Sequence, residues 1–412
     1  MSKRAIYPLF LFIFISVFAH ATNLDVGSTS VPLTPLEIRQ SIIDNPSIAA
    51  SREEILKDRA LALGNNTLTG PEVGFEHLWA RGGIPTRWTL SLDQSFDWPA
   101  TYSARKKLIH SQTVTSLQNL RIAQFSLAEN ATQLLIRLAY TQRRLKVYDA
   151  LLTDYTELSL RLDEALDRGT VTILDKKKTD VQTAILYAER EKILGQQADL
   201  ILQLQLLAGT TLPVDRVDWL AMPLPSSLKP LDYYLSCVSS DPTISMRRSS
   251  LETAKLEKDL SRLSSLPSFT LGYRHSFEEQ THFDGFALSV SLPRWGITSA
   301  ARAADLSVTT ATTMLDIEEK IAVARIENLH HAASSLKQSL TRLQTKALDA
   351  SYLRLLKQAL EERQITLLDF ILEQTYYRDT TLSVLELEEQ YSLLLAMLDR
   401  PALAASISLI PF

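Results

Sequence analysis

The chain has 412 residues, with 43 lysines and arginines against 47 aspartates and glutamates, which gives a formal net charge of −4. This balance argues against a nucleic-acid partner, because no basic excess is present to meet phosphates. The single cysteine, Cys237, excludes an internal disulfide and a cysteine-based zinc cluster, and it lies too far from the N-terminus to carry a lipid. Only 12 glycines and long Leu/Ala/Glu/Lys/Arg/Gln stretches indicate a mostly α-helical chain.

The N-terminus has the pattern of a secretory signal peptide. Lys3 and Arg4 precede an apolar run over 9–18, and Ala19-His20-Ala21 supplies small residues for cleavage. The run of about ten residues is too short for a membrane-spanning helix, which needs about 20. We therefore expect residues 1–21 to be removed on export.

Residues 71–97 have the pattern of a β-hairpin, with strands PEVGFEHLW and RWTLSLDQSF joined by ARGGIPT. Both strands alternate between two faces. One face carries Val73, Phe75, His77, Trp79, Trp88, Leu90, Leu92, Gln94 and Phe96, and the other face of the second strand carries Thr89, Ser91, Asp93 and Ser95. Because a two-stranded ribbon alone is marginally stable in water, the apolar face requires a cover.

The chain also resembles itself at a nearly constant offset. Four markers recur in the same order: Asn45-Pro46 as Asp241-Pro242, Pro71 as Pro267, Ser103-Ala104 as Ser299-Ala300, and ALDRGTVTILD (165–175) as ALEERQITLLD (359–369). These repeats predict a tandem duplication of a unit of about 195 residues. We expect a first unit over 22–210, a linker over 211–230, a second unit over 231–400 and a C-terminal tail over 401–412.

Each predicted unit contains the same parts in the same order. The first has a helix over 34–68, the hairpin 71–97, a long helix over 101–168 and a return helix over 172–208. The second has a helix over 231–265, a hairpin over 268–292, a long helix over 298–362 and a last helix over 368–399. From these lengths we expect the short helices to stack end to end beside the long ones.

Both long helices carry a heptad pattern that is typical of coiled-coil packing. In the first the positions are Leu127, Ala131, Leu134, Leu138, Thr141, Leu145, Tyr148, Leu152, Tyr155, Ser159, Leu162 and Leu166, and only Thr141 and Ser159 break the apolar pattern. In the second they are Ala322, Ile326, Leu329, Ala333, Leu336, Leu340, Leu343, Ala347 and Ala350.

The four strands have the length and alternation of transmembrane β-strands, and Trp79, Trp88 and Trp98 stand at the ends of the first hairpin, as aromatic girdles do. Four strands cannot close a barrel, and open edges are not tolerated in lipid, so the chain must oligomerise; a trimer gives twelve strands. The expected lipid-facing residues are Val73, Phe75, Trp88, Leu90, Leu92, Phe269, Leu271, Phe286 and Leu288. The alternative is a small soluble sheet packed on the helices.

From about Leu33 to Leu398 the chain resembles the TolC-like outer membrane factor family. The resemblance rests on the duplicated architecture, on the segment SFDWPATYSARKKL that enters the first long helix, and on the two ALxxxxxTxLD turns. It implies a trimeric twelve-stranded barrel in the outer membrane, continued by an α-helical coiled-coil tunnel across the periplasm. It also implies a periplasmic adaptor and an inner-membrane transporter as partners. The glycine that commonly precedes the turn is present as Gly169, but Arg363 or Gln364 replaces it in the second unit.

By the same resemblance such tunnels narrow at these turns, where rings of carboxylates from three chains could select cations. The candidates are Asp175 and Asp369, with Glu373 one turn further on. Thr172 and Thr366 precede the two aspartates in their turns. The alternative for both aspartates is a place in the first turn of a helix, which favours acidic residues.

The sequence contains no catalytic constellation, and we expect neither an enzymatic activity nor a cofactor. No phosphate-binding glycine loop is present, so energy would come from a partner protein. The pair His330-His331 does not predict a metal site, since adjacent helical residues point about 100° apart. The expected function is a passive exit duct for efflux or type I secretion, with heavy-metal cations or drugs as expected substrates. The alternative is a periplasmic coiled-coil adaptor without a barrel.

Overall fold

A computed structural model describes residues 34–79, 86–209, 217–224, 227–278, 280–292, 298–345, 350–400 and 403. The predicted signal peptide, the connection 80–85 and nearly all of the predicted tail lie outside the described residues. The helices are α1 Pro35–Ile43, α2 Pro46–Asn65, α3 Pro99–Asp167, α4 Ile173–Ala208, α5 Leu231–Ser236, α6 Pro242–Leu263, α7 Thr298–Gln344, α8 Ala350–Glu361 and α9 Leu367–Leu398. The strands are β1 Glu72–Leu78, β2 Arg87–Phe96, β3 Ser268–Glu278 and β4 Thr281–Ser291.

The two predicted leading helices are each interrupted, which corrects the single helices expected over 34–68 and 231–265. Pro46 begins α2 and Pro242 begins α6, because proline lacks the N–H that a continuing helix needs and suits the first helical turn. The preceding residues cap these helices: Asn45 accepts from the N–H of Ser47 at 2.9 Å, and Asp241 accepts from that of Thr243 at 2.8 Å.

The four strands form one antiparallel sheet in the order β1-β2-β3-β4. Within the hairpins, Val73 pairs with Leu92 and Phe269 pairs with Val290. The hairpins are joined by β2 and β3, where Trp88 pairs with Phe277. Strands β1 and β4 therefore form the two edges of the sheet.

Helix α3, with 69 residues, is the element against which most other helices pack. Its first half contacts α2 and α6, and its second half contacts α4 and α9. The predicted heptad positions of α3 are buried or half-buried, with Leu138 and Thr141 at no more than 1% exposure. In α7, Ala322 and Ala333 are buried at equivalent positions. The coiled-coil pattern therefore marks the packed side of both long helices.

The short helices meet end to end beside α3. Asn45, which caps α2, donates from Nδ2 to the carbonyl oxygens of Leu207 and Ala208 at the end of α4, both at 3.2 Å. At the corresponding place in the second half, Arg400 approaches Asp241, which caps α6, at 3.7 Å. Two half-length helices thus run along each long one.

Within the predicted linker the described segment 217–224 packs on α3. A 3₁₀ turn over Trp219–Ala221 buries Trp219 and Met222 in the core that contains Leu135 and Leu138. The predicted second long helix is described as α7 and α8, and 346–349 lie outside the described residues. None of the described helices combines the length and the apolarity that crossing a lipid bilayer requires.

Candidate functional site

The sheet has one strongly apolar face, which is also exposed. Strand pairing places all nine predicted lipid-facing side chains on this face: Val73, Phe75, Trp88, Leu90, Leu92, Phe269, Leu271, Phe286 and Leu288. The exposed fraction is 69% for Val73, Phe75 and Leu288 and 85% for Phe286. Much of this face is therefore open to solvent in the described chain.

The opposite face of the sheet is mostly polar, and many of its side chains are small. The hydroxyls of Thr89 and Ser276 lie 3.0 Å apart, and those of Ser95 and Thr270 lie 2.9 Å apart. Gly272 lies directly under the carboxylate of Asp93, so that a Cβ on this residue would collide with Oδ1. Hydroxyl pairs of this kind stabilise adjacent strands and keep a polar surface.

Aromatic rings gather at both ends of the apolar face. Trp88 stacks on Phe277 with ring centroids 5.9 Å apart, and Trp98 contacts Phe269 at the same distance at the other end. Near the β3–β4 turn the face also carries a polar cluster that the sequence did not reveal. There Asp284 accepts from Tyr273 Oη at 2.5 Å and lies 2.8 Å from His275 Nδ1.

The two turns that precede α4 and α9, here called the tip turns (168–172 and 362–366), share one backbone path. Gly169 has φ +70° and Arg363 has φ +59°, both left-handed. Thr170 N–H donates to Ala165 O at 2.9 Å, and Gln364 N–H donates to Ala359 O at 2.8 Å. These are the bonds of a left-handed helix C-cap. Arg363, and not Gln364, therefore occupies the position of the glycine.

Each predicted aspartate closes a capping box at the start of its helix. The N–H of Asp175 donates to Thr172 Oγ1 at 3.2 Å, and the Thr172 hydroxyl donates to Asp175 Oδ2 at 2.7 Å. Asp369 has the same relationship with Thr366. The hydroxyl bonds hold the pKa of both carboxyls below its usual range. Among the described residues, no hydrogen bond or ion pair links Asp175 to Asp369 or to Glu373.

Glu373 is engaged by α8. Tyr352 Oη donates to its Oε2 at 2.5 Å, and this bond raises the pKa of Tyr352 to about 12. The three predicted acids therefore have partners within the chain: two cap helices, and the third bonds to a neighbouring helix.

Ion pairs that sequence reasoning missed link α3 to α8 and α9. Arg161 contacts Glu361 at 2.5 Å, and Lys357 contacts Asp154 at 2.5 Å. Further from the turns, the less exposed Arg144 contacts Glu389 at 2.9 Å. The partners are about 200 or more residues apart. In the sequence these ion pairs were indicated only by single charged residues beside the heptad positions, which do not identify their partners.

The adjacent histidines lie on α7, and His330 Nε2 is 3.1 Å from the carbonyl oxygen of Lys229. Its ring also contacts Tyr234 edge to face, with centroids 6.2 Å apart. Within the described ranges, no three His, Cys, Asp or Glu side chains are grouped so that they could hold a metal ion.

The described fold combines an open four-stranded sheet, which has an exposed apolar face, with long paired helices. The chain is similar to the outer-membrane channel OprN, with 14% identity, 90% of each chain covered and a TM-score of 0.72. It is similar to the outer membrane protein VceC of Vibrio cholerae, with 14% identity, 89% of this chain and 95% of that chain covered and a TM-score of 0.69.

A third solved structure, the MtrE outer membrane channel of Neisseria gonorrhoeae in its open state, matches at 15% identity with a TM-score of 0.66, and the match covers 90% of this chain and 88% of that chain. No protein-family model matches the sequence, and no curated protein sequence matches it significantly. The predicted fold class and the resemblance to TolC-like outer membrane factors are thus confirmed at the level of the fold. The sheet of a single chain is open, and a barrel is not closed within it.

Proposed function

We propose that this protein is an outer membrane channel, a passive exit duct of which three copies close a twelve-stranded barrel. One observation carries the proposal: the sheet has an uncovered apolar face and two unpaired edges in the described chain. An open edge and an apolar face are both unfavourable in water, and an open edge is equally unfavourable in lipid. Closure with two further copies satisfies the edges, and lipid covers the face.

The helices support the same assembly. Helix α4 packs on α3 through Thr179, Leu186, Ile193 and Leu204. A second set of apolar side chains on α4 is exposed: Leu174, Val181, Ile185, Leu202 and Leu206. Beside α6, helix α7 also exposes apolar side chains: Leu306, Met314, Ile317 and Ile321. Contacts of each set with helices of a neighbouring copy at the same level would bury both sets and extend the barrel as a helical tunnel.

The tunnel would lie in the periplasm, with the tip turns at its far end. There we place the contact with a periplasmic adaptor and, through it, an inner-membrane transporter that supplies the energy. Asp175, Asp369 and Glu373 are the proposed cation-selecting acids of this end. Heavy-metal cations or drugs are the proposed substrates, and no enzymatic step belongs to the function.

The experiment purifies the full chain in detergent and tests for a trimer that conducts ions across a planar bilayer. Spin labels at Val73, Phe75 and Leu90 should report a lipid environment, and a label at Ser91 on the polar face is the matched control. A chain that is extracted from the periplasm without detergent as a monomer, with water-exposed labels at all four positions, would contradict the proposal and favour the adaptor alternative.

A further inference from the structure

The two edge strands carry the side chains that a neighbouring copy would contact. On β1, Leu78 is 51% exposed, and Trp79, which follows it, is 80% exposed. On β4, Leu288 is 69% exposed, and Leu292, just after the strand, is 78% exposed. Among the described residues, β1 pairs only with β2, and β4 pairs only with β3. The free side of each strand thus presents a row of backbone groups without a ladder partner.

The internal duplication extends to the strands residue by residue. Pro71 before β1 corresponds to Pro267 before β3, an offset of 196. On the return strands, Leu90-Ser91-Leu92 corresponds to Leu288-Ser289-Val290, an offset of 198. Strand pairing gives the same offsets independently, because Val73 pairs with Leu92, and their counterparts Phe269 and Val290 also pair.

The join between the two hairpins provides a template for the join between two copies. In that join, β2 pairs with β3 so that Leu90 lies opposite His275 and Leu92 lies opposite Tyr273. Since β4 corresponds to β2, and β1 corresponds to β3, the equivalent join runs from β4 of one copy to β1 of the next. Adding 198 to the number of the β2 residue and subtracting 196 from that of the β3 residue therefore turns each observed pair into one predicted pair between copies.

We infer that β4 pairs with β1 of the partner subunit in the register of the β2–β3 join. Leu288 then lies opposite Trp79 of the partner subunit, Val290 opposite His77 of the partner subunit and Leu292 opposite Phe75 of the partner subunit. Ser289 and Ser291 lie opposite Leu78 and Glu76 of the partner subunit. This inference rests on the proposed function, since it requires a closed ring of copies.

Two physical constraints favour this register. A slip by one residue would turn the apolar face of one copy toward the polar face of the next, which excludes every such slip. Slips by two residues keep the apolar side chains on one face of the barrel. However, they give the joins between copies a different stagger from the β2–β3 joins within each copy. In a closed barrel the stagger, the strand tilt and the diameter are linked, so equal joins let every hairpin meet its neighbours with the same tilt. The wide Trp79 ring then covers Leu288 across the join.

Cysteine cross-linking distinguishes the registers. In antiparallel strands, opposite Cα atoms lie about 4.5 to 5.5 Å apart, within the range that a disulfide spans. Residues displaced by two positions lie about 7 to 8 Å apart, beyond that range. In the full chain with Cys237→Ser, the pairs Leu288→Cys with Trp79→Cys and Val290→Cys with His77→Cys should form covalent links between chains on oxidation.

The displaced pairs, Leu288→Cys with His77→Cys and Val290→Cys with Trp79→Cys, are the matched controls and should link at least tenfold less. Leu92→Cys with Tyr273→Cys, opposite each other within one chain, confirms that a cysteine pair on this face oxidises. Preferential linking of a displaced pair overturns the register, as does a conducting trimer in which neither predicted pair links. If no variant and no wild-type chain forms a trimer, the proposed function itself fails. Ser289→Cys with Leu78→Cys tests the same register with the Trp79 ring intact.

Discussion

Thr366 donates its hydroxyl to Oδ2 of Asp369 at 2.6 Å, while the backbone N–H of Asp369 donates back to the Thr366 hydroxyl at 3.1 Å. Thr172 and Asp175 repeat the arrangement 194 positions earlier. Two of the three acids that the sequence offers as a cation filter therefore also cap the return helices. Experiments therefore have to separate the effect of the negative charge at these positions from the effect of the helix cap.

Removal of the cap alone is predicted to destabilise the tip without changing its charge. Thr366→Ala deprives the first turn of α9 of its side-chain acceptor, which costs about 1 kcal/mol. Thermal unfolding of the detergent-solubilised protein measures the loss, and Thr366→Ser, which keeps the hydroxyl, is the control. Equal stability of Thr366→Ala and wild type would contradict the capping role.

Removal of the charge alone is predicted to weaken cation preference. Asp369→Asn keeps a side-chain acceptor near the Thr366 N–H but carries no charge, so the reversal potential in a salt gradient should move toward zero. Ser383→Asn, on an exposed side chain of the same helix, is the matched control. An unchanged reversal potential in the double variant Asp175→Asn, Asp369→Asn would rule out these acids as the filter.

Acid is predicted to loosen both tip turns. The pKa values of Asp175 and Asp369 are lowered from the ordinary 3.8 by the threonine hydroxyl bonds. Such carboxylates stabilise the fold fully above the ordinary pKa, and this contribution is lost as the pH falls through the lowered pKa. Limited proteolysis below pH 4 should therefore cut near 362–369 faster than at pH 6. In Asp369→Asn the acid dependence at this turn should be absent.

The left-handed residues of the two tip turns give a matched pair of substitutions. A non-glycine residue in this conformation costs about 1–2 kcal/mol, and glycine loses about 0.5–1 kcal/mol through unfolded-state entropy. Arg363→Gly should therefore stabilise the protein by about 0.5–1 kcal/mol, whereas Gly169→Ala should destabilise it by a similar amount. Opposite shifts of the unfolding midpoint are expected, and shifts of the same sign would be inconsistent with this reasoning.

Two of the ion pairs made by α3 are predicted to differ in strength because they differ in exposure. Arg144 and Glu389 are 22% and 14% exposed, whereas Arg161 and Glu361 are 63% and 60% exposed. Burial already raises the pKa of Glu389 despite Arg144. Arg144→Met leaves that carboxylate without its partner and should cost about 2 kcal/mol, but Arg161→Met should cost less than about 1 kcal/mol. Adding Glu389→Met to Arg144→Met should recover part of the loss.

A charge on the apolar face is predicted to block membrane assembly. Leu288→Arg places a guanidinium on the proposed lipid face of β4, at a cost of about 2–4 kcal/mol if it lies at mid-membrane. Ser289→Arg, one residue further on the polar face, should be tolerated. The yield of detergent-resistant trimers in the outer membrane fraction measures both. Equal yields would place β4 outside the bilayer.

The local patterns of the sequence predicted the elements and their faces. Period-two alternation in β1 to β4 indicated which side chains share a face, and the heptads marked Leu138 and Leu145 for burial. Asp175 and Asp369 were identified as candidates with a capping alternative, and the structure places both in capping boxes. The breaks before Pro46 and Pro242 were missed because a proline signal was outweighed by helical composition on both sides.

What the sequence by itself determined is thus everything that depends on neighbours within one turn or one strand: the hairpins, the apolar and polar faces, the packed stripes and the caps. The tertiary structure decided which distant segments meet. It joined β2 to β3 and brought Arg144 to Glu389. These contacts depend on how the helix of 69 residues positions the elements at its two ends. Side-chain periodicity records that a face is buried or bonded, but not which partner covers it.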